Sequence, residues 1–364
     1  MSPLTPGCTI GILGGGQLGR MLSLAAARLG LQTHIFAPEA PHTPGPAAQV
    51  SAHHTNAAFD DINALSRFAD ACDAVTYEWE NVPVSAAQVV AASATPLRPG
   101  VAALRTAQDR LVEKRALSAM PGISVAPYTE VGKSSAATIH DLTRACAFLG
   151  YPCVVKTRRG GYDGKGQRFL HSESDIAPAW DALGEQSLIV ESMIDFTREV
   201  SVISTRGLDG DIRAYPLTEN VHRDAILHTS TAPANGDDGS AATIARTILD
   251  ALDYVGTIGV EFFDTADGLL VNEIAPRVHN SGHWTQDAGC TDQFENHIRA
   301  VAGWPLGDTT PTLSKGHSVQ MTNLIGEDAI YWRSLAETDA RLHLYGKREP
   351  RPGRKMGHIN TRIT

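Results

Sequence analysis

The sequence predicts an N-terminal doubly wound parallel α/β domain, then an α+β region, closed by a small β-rich appendage. Three observations predict it. Strand-like apolar runs alternate with helix-period segments over the first hundred residues. Past about Arg105 that alternation gives way to strand pairs joined by glycine-containing turns. The last fifty residues carry Pro350 and Pro352 and few apolar positions, as short strands and turns would. The expected divisions are 1–104, 105–312 (in two parts meeting near 188) and 313–364.

Residues 8–13 form an apolar run that ends in the glycines 14–16. Leu18, Met21, Leu22, Ala25 and Leu29 then recur at helical spacing, with Gly30 as the stop. Strands at 33–37 and 74–77, with a helix at 61–71 between them, complete the alternating pattern, and the proline-rich 38–46 is loop. Further along, helices are expected at 109–120, 141–149, 175–183 and 240–252. Strands are expected at 153–156, 168–171 and 187–191, with hairpins at 200–205/212–217 and 257–264/269–274.

Composition excludes several classes. A formal charge of −9 provides no broad basic face for a nucleic-acid backbone. Anionic ligands must therefore be met by glycine-rich backbone, helix N-termini or a few placed cations. The five cysteines, Cys8, Cys72, Cys146, Cys153 and Cys290, are odd in number and form no CxxC pair, which argues for reduced thiols rather than disulfides or zinc. No apolar run approaches the ~20 residues of a membrane span, and the N-terminus lacks a secretory pattern. The expectation is a cytoplasmic protein with no membrane and no nucleic-acid partner.

Chemistry concentrates in a few segments. Gly14, Gly16 and Gly19 fit G-x-G-x-x-G between a strand and a helix, and Glu39 lies twenty residues past Gly19, where a ribose-binding acid of an NAD enzyme would sit. A tight turn without ligand fits equally. Lys156 ends a strand and leads into Gly160-Gly-Tyr-Asp-Gly-Lys-Gly-Gln167, whose glycines let backbone approach phosphate oxygens while Lys156 and Lys165 supply charge. It is not a Walker A loop. Glu261 and Glu273 stand near opposition on the arms of the last hairpin. Period-2 alternation puts both on one face if the hairpin loop has an odd number of residues. Facing carboxylates repel unless a divalent cation joins them, and Asn272 adds a neutral oxygen. Arg277, His279, Asn280, Ser281 and His283 follow directly, as contacts for an anion and substrate. A basic tract, Lys347 and then Arg351-Pro-Gly-Arg-Lys355, interrupts an acidic chain, and Tyr77-Glu-Trp-Glu-Asn81 ends a strand where open α/β sheets collect ligands.

Together these segments resemble the ATP-grasp superfamily and, within it, the N5-carboxyaminoimidazole ribonucleotide synthetases of purine biosynthesis. Asn272-Glu-Ile-Ala-Pro-Arg-Val-His-Asn-Ser-Gly-His-Trp284 and Arg351-Pro-Gly-Arg-Lys-Met-Gly-His358 are its most specific strings. The resemblance implies a central ATP-grasp domain of two subdomains. ATP would be held by Arg110, Lys156, the loop Gly161, Tyr162, Asp163, Gly164, Lys165, Gly166 and Gln167, the segment Glu191, Ser192, Met193 and Ile194, and Glu199, His222, Asn272 and Glu273. Glu261 and Glu273 would bind Mg²⁺. Aminoimidazole ribonucleotide would be gripped by Gln17, Leu18, Glu78, Lys347, Arg354 and Lys355, and bicarbonate by Tyr162, Asp163, Arg277, His279, Asn280 and Ser281. No biotin is expected, the assembly would be a homodimer, and a further helix-containing stretch is expected beyond Thr364.

The implied chemistry is attack of bicarbonate on the γ-phosphate, giving carboxyphosphate, followed by carboxyl transfer to the ribonucleotide amine. Asp163 or a histidine would take the amine proton. Other readings are a relative that passes formate or an amino acid to a similar amine, an NAD-dependent oxidoreductase, and a nucleotide sensor without catalysis.

Overall fold

The computed structural model describes residues 2–39, 43–132, 137–161 and 164–364. Three sheets follow one another along the chain. The first comprises β1 (Thr9–Leu13), β2 (Gln32–Phe36), β3 (His53–Thr55) and β4 (Ala74–Tyr77), all parallel in the order β3-β2-β1-β4. Its chain order reverses at β1, which places a crevice outside the carboxyl ends of β1 and β4. The helix Gln17–Arg28 starts there and ends with Leu29 N–H on the Ala26 carbonyl.

The second sheet contains β5 (Tyr128–Glu130), β6 (Cys153–Thr157), β7 (Gln167–Leu170) and β8 (Leu188–Ser192), antiparallel in the order β5-β8-β6-β7. Helices Ile139–Leu149 and Ile176–Leu183 cover it with Leu142, Cys146, Ile176 and Leu183. The third sheet has nine strands: β9 (Arg198–Arg206), β10 (Ile212–Ala214), β11 (Thr218–Arg223), β12 (Ile226–Ala232), β13 (Gly256–Thr265), β14 (Gly268–Ala275), β15 (Ser318–Ile325), β16 (Arg341–Leu344) and β17 (Lys355–Ile363). The C-terminal strands do not form a sheet of their own. β15 pairs with β12, so β15, β17 and β16 extend the central sheet.

The hairpin β11–β12 has no counterpart among the expected elements. Its two-residue turn puts Asp224 and Ala225 at φ 50° and 60°. A primed turn normally announces itself with Asn or Gly, and Asp-Ala does not. By contrast, the expected helix at 109–120 is present as Arg110–Ser118, with Asp109 accepting from Leu111 N–H and Val112 N–H as its N-cap.

The N-terminal sheet shares a core with a distant helix. Gln293–Ala302 places Phe294, Ile298 and Val301 against Ile10, Ile12 and Leu22. His297 on that helix bridges two sheets: its Nδ1 accepts from Thr257 N–H at 3.1 Å and its Nε2 lies 2.8 Å from Thr76 Oγ1. Burial holds this imidazole neutral, with a pKa lowered to about 3. Its contribution is therefore complete above the ordinary value of 6.5 and is lost as pH falls toward 3. His297→Gln should narrow its stability gap to the parent by roughly 1.4 kcal/mol per pH unit below 6.5. Urea unfolding of both chains at pH 7, 5.5 and 4.5 measures this, and a constant gap would count against it.

Candidate active site

The glycine turn after β1 is a close-approach site, but its neighbour is a side chain. Glu78, just past β4, accepts from Gly16 N–H at 2.9 Å and from Gly19 N–H at 3.0 Å. A Cβ on Gly14 or Gly16 would come within 2.7 or 2.8 Å of that carboxyl group. The helix N-terminus is thus met by a buried acid, which occupies the close approach that the glycines allow. Burial raises the Glu78 pKa even against these two donors. Gln17 opens the helix, while the Leu18 side chain lies in the core.

A second cluster lies where β6, β8, β14 and the Arg110–Ser118 helix meet. Lys156 Nζ donates to Glu191 Oε2 at 2.9 Å, and Lys114 Nζ lies 3.6 Å from the same oxygen. Arg110 Nη1 donates to Glu273 Oε2 at 2.8 Å. Burial lowers the Lys156 pKa against the pull of Glu191, with Arg110 and Lys114 adding repulsion. Burial works the other way on Glu273, yet pairing with Arg110, with Lys156 and His279 nearby, brings it to about 2. The cleft therefore holds ionised acids and cations that a highly charged ligand can engage. Glu191 points inward to the lysines, whereas Met193 is exposed. Of the glycine-rich loop, Gly161, Gly164, Lys165, Gly166 and Gln167 are described, and the expected contacts of Tyr162 and Asp163 fall outside the described residues. A Cβ on Gly164 would meet Ala225 Cβ at 2.5 Å, so the loop reaches the β11–β12 turn.

Glu261 and Glu273 are directly paired across β13 and β14 and share a face. The reason differs from the expected one. The hairpin loop has two residues, Ala266 and Asp267, an even number that by itself would oppose Glu261 to Asn272. A β-bulge at Asn272 supplies the odd residue and turns Glu273 to the same side. Glu261 Oε1 meets His279 Nε2 at 3.0 Å. Among the described residues, Asn272 Oδ1 is buried without a hydrogen-bond partner.

The following loop is held from several directions. His279 Nδ1 accepts from Ser281 N–H at 3.4 Å and lies 2.9 Å from Ser281 Oγ, which in turn accepts from Ser201 Oγ–H at 2.7 Å. Asn280 and Asn323 exchange side-chain amide hydrogen bonds at 3.0 and 2.7 Å. Arg277 is paired with Glu80 of the N-terminal domain, which holds the Glu80 carboxylate below its usual range although burial opposes this. His222 Nδ1 lies 2.9 Å from Glu199 Oε2, and its pKa rises through that pairing, against burial. In the C-terminal tract, Lys347 lies over the Tyr345 ring and donates to the Lys355 carbonyl at 2.6 Å. Lys355 is close enough to His222 to act on its charge, while Arg354 Nη1 donates to the Glu349 carbonyl at 2.9 Å.

Three site residues escaped sequence reasoning. Lys114 and Glu113 sit on a charge-rich helix in which nothing local singles them out, and both are buried. Glu80 was overshadowed by Glu78. Its signal is that a buried arginine such as Arg277 requires an acid.

A carboxylate pair, a lysine-led glycine loop and an antiparallel two-sheet cleft define an ATP-grasp ligase, and residues 117–294 match the ATP-grasp domain model. Residues 8–108 match the ribonucleotide synthetase preATP-grasp domain, and residues 320–363 the phosphoribosylaminoimidazole carboxylase C-terminal domain. The N5-carboxyaminoimidazole ribonucleotide synthase of Brucella melitensis is 50% identical, with 99% of this chain and 97% of the relative aligned. That of Bacillus subtilis is 41% identical over 97% of this chain and 91% of its own. Among solved structures, an ADP complex of an N5-carboxyaminoimidazole ribonucleotide synthetase has a TM-score of 0.90 at 41% identity, covering 98% of this chain and 93% of that one. The Aspergillus clavatus synthase in complex with ADP and 5-aminoimidazole ribonucleotide has a TM-score of 0.87 at 33% identity, covering 98% and 93%. The chain belongs to the N5-carboxyaminoimidazole ribonucleotide synthase family, ATP-dependent carboxylating ligases of purine biosynthesis.

Because Arg277 is buried with Glu80 as its acid, Glu80→Gln should cost about 2 kcal/mol of stability. Adding Arg277→Met should restore part of it. Equal losses from both single variants and their sum in the double, by chemical denaturation, would show that the pair is uncoupled.

Proposed function

We propose that this chain carboxylates the amine of 5-aminoimidazole ribonucleotide with bicarbonate and ATP, through carboxyphosphate. The observation that carries the reading is the continuity of one cleft. Lys156, Arg110 and Glu273 lead into Glu261 and His279, and then to Arg277 and Glu80 at the N-terminal sheet. Reactants can thus meet between the ATP cations and the crevice of the parallel sheet.

Mg²⁺ fits the donor set. Glu273 is ionised, Asn272 offers a buried oxygen without a partner among the described residues, and all the donors are hard oxygens. Among the described residues no group of three or more His, Cys, Asp or Glu is arranged to hold a metal, so the ion would rest on Glu261 and Glu273 and share phosphate oxygens and water. When bound, it would neutralise charge on the transferring phosphoryl group.

The chain's own residues do the rest. Arg110 and Lys156 bring positive charge to the triphosphate and to the oxygens of the γ-phosphoryl group as bicarbonate attacks it. The loop from Gly161 to Gln167 closes over the site and excludes water, which would otherwise hydrolyse carboxyphosphate. Arg277, oriented by Glu80, and Asn280, oriented by Asn323, hold the carboxyl group for the incoming amine. His279 has both ring nitrogens engaged, Nδ1 by Ser281 N–H and Nε2 by Glu261, which favours Asp163 as the proton acceptor. Glu199 would take the ribose hydroxyls of ATP, with Glu191, Ser192, Met193, Ile194 and His222 around the nucleotide. Lys347, Arg354 and Lys355, with Gln17, Leu18 and Glu78, would hold the ribonucleotide. We further propose a homodimer in the cytoplasm without biotin. Among the described residues no helix is long and apolar enough to cross a membrane.

Phosphate release should require bicarbonate and rise strongly with aminoimidazole ribonucleotide, while formate should not substitute. Release supported by formate in its place would overturn the bicarbonate assignment. A phosphate monoester carries nearly two charges and calls for converging cations. Arg354→Ala should therefore raise KM for the ribonucleotide roughly ten- to a hundred-fold and leave KM for ATP within a few-fold. Steady-state kinetics showing equal losses for both substrates would make Arg354 a structural residue.

A further inference from the structure

Among the described residues, strand β14 is the edge of the nine-stranded sheet, so one row of its backbone groups has no partner strand there. The bulge at Asn272 disturbs the ladder on the other row as well. Two consecutive residues of the Arg110–Ser118 helix meet this stretch. Glu113 Oε1 accepts from Ile274 N–H at 2.7 Å. Lys114 Nζ donates to the Asn272 carbonyl at 2.8 Å and reaches the Val271 carbonyl at 3.5 Å. Arg110 lies three and four residues earlier, on the same face of the helix, and holds the Glu273 carboxylate. The helix thereby grips residues 271 to 274 in succession.

Covering an edge strand does not require such residues. One residue away from the bulge, Val271 N–H is satisfied by an ordinary backbone carbonyl, that of Ser124, at 2.8 Å. Glu113 and Lys114 are 2% and 0% exposed. Buried ionisable groups are commonly less stabilising than apolar ones of similar volume, so edge coverage alone accounts poorly for them.

We infer that Glu113 and Lys114 are positioning residues that hold the bulge so that Glu273 and Asn272 face the cation accompanying the nucleotide. The inference rests on the proposed role of Glu261 and Glu273 as divalent-cation carboxylates. Lys114 extends the same control across the cleft, because it also approaches Glu191, the acid that holds Lys156. Neither side chain has to touch a substrate. Each acts through the backbone or through another charged group.

The test measures the Mg²⁺ concentration for half-maximal ADP binding to the full chain by calorimetry. Amide hydrogen exchange of residues 268–276 is followed in parallel without nucleotide or metal. Glu113→Leu removes the acceptor for Ile274 N–H and should raise the Mg²⁺ requirement about tenfold, with faster exchange in the hairpin. Glu113→Gln keeps a carbonyl acceptor and should restore both readouts to within about twofold of the parent. Lys114→Met, a second and independent variant, should also raise the Mg²⁺ requirement about tenfold. Parental Mg²⁺ dependence in folded Glu113→Leu and Lys114→Met, with or without a lower melting temperature, would reduce the pair to edge coverage and overturn the inference. Glu273→Gln separates the two levels of the argument. If it leaves the Mg²⁺ dependence unchanged, the cation assignment itself fails. If it abolishes that dependence while the other two variants do not, only the positioning role fails.

Discussion

The pairing of Arg110 with Glu273 is the interaction on which the cleft depends. A carboxylate at that depth without a cation of its own would take up a proton, as burial and the nearby Glu273 drive Glu113 to do even against its hydrogen bond from Ile274 N–H, with a pKa of about 8. Arg110 instead keeps Glu273 ionised, so the end of β14 carries a negative charge available to a cation. The requirement then spreads. Arg110 is held at the first turn of a helix whose N-cap, Asp109, also pairs with Arg158 and Arg159 at the entrance to the glycine-rich loop. One helix therefore indexes the loop, the carboxylate and the bulged strand against each other.

The N-terminal domain takes part through packing and charge together. Its sheet shares a core with the Gln293–Ala302 helix, and Arg28 on its first helix reaches Asp292, the N-cap of that distant helix, at 2.6 Å. Packing of this kind holds the end of β4 over the cleft, where Glu80 can meet Arg277. Glu78, two residues earlier, satisfies the first helix instead. Two acids of one short segment thus have separate duties, one closing a helix terminus and one orienting an arginine.

Much of the site was legible because its chemistry is local in sequence. The lysine-ended strand before a glycine loop, the carboxylates on two arms of a hairpin, and the Arg-His-Asn-Ser run that follows all keep their significance in a linear reading. The partners of those residues were not legible. Asn323 for Asn280, Ser201 for Ser281 and Glu80 for Arg277 come from distant segments, and nothing in a polar residue's own neighbourhood announces a contact of that range. The β11–β12 hairpin was missed for a local reason, since Asp224 and Ala225 adopt positive φ without the glycine or asparagine that usually marks such a turn.

The parallel α/β start, the strand pairs that follow and the residue types that could meet phosphate are written locally in the chain, because periodicity and glycine placement act over a few residues. The facing of Glu261 and Glu273 was a matter for tertiary structure. A two-residue loop taken alone predicts the wrong face for Glu273, and the bulge that corrects it is held by Glu113 and Lys114, some 160 residues earlier in the chain. The same holds for the glycine turn, where the Glu78 carboxylate, just past β4, meets a helix terminus that the motif alone leaves open. Backbone register and helix termini are satisfied by whichever group the folded chain brings nearest, and that choice is made by packing across the whole molecule.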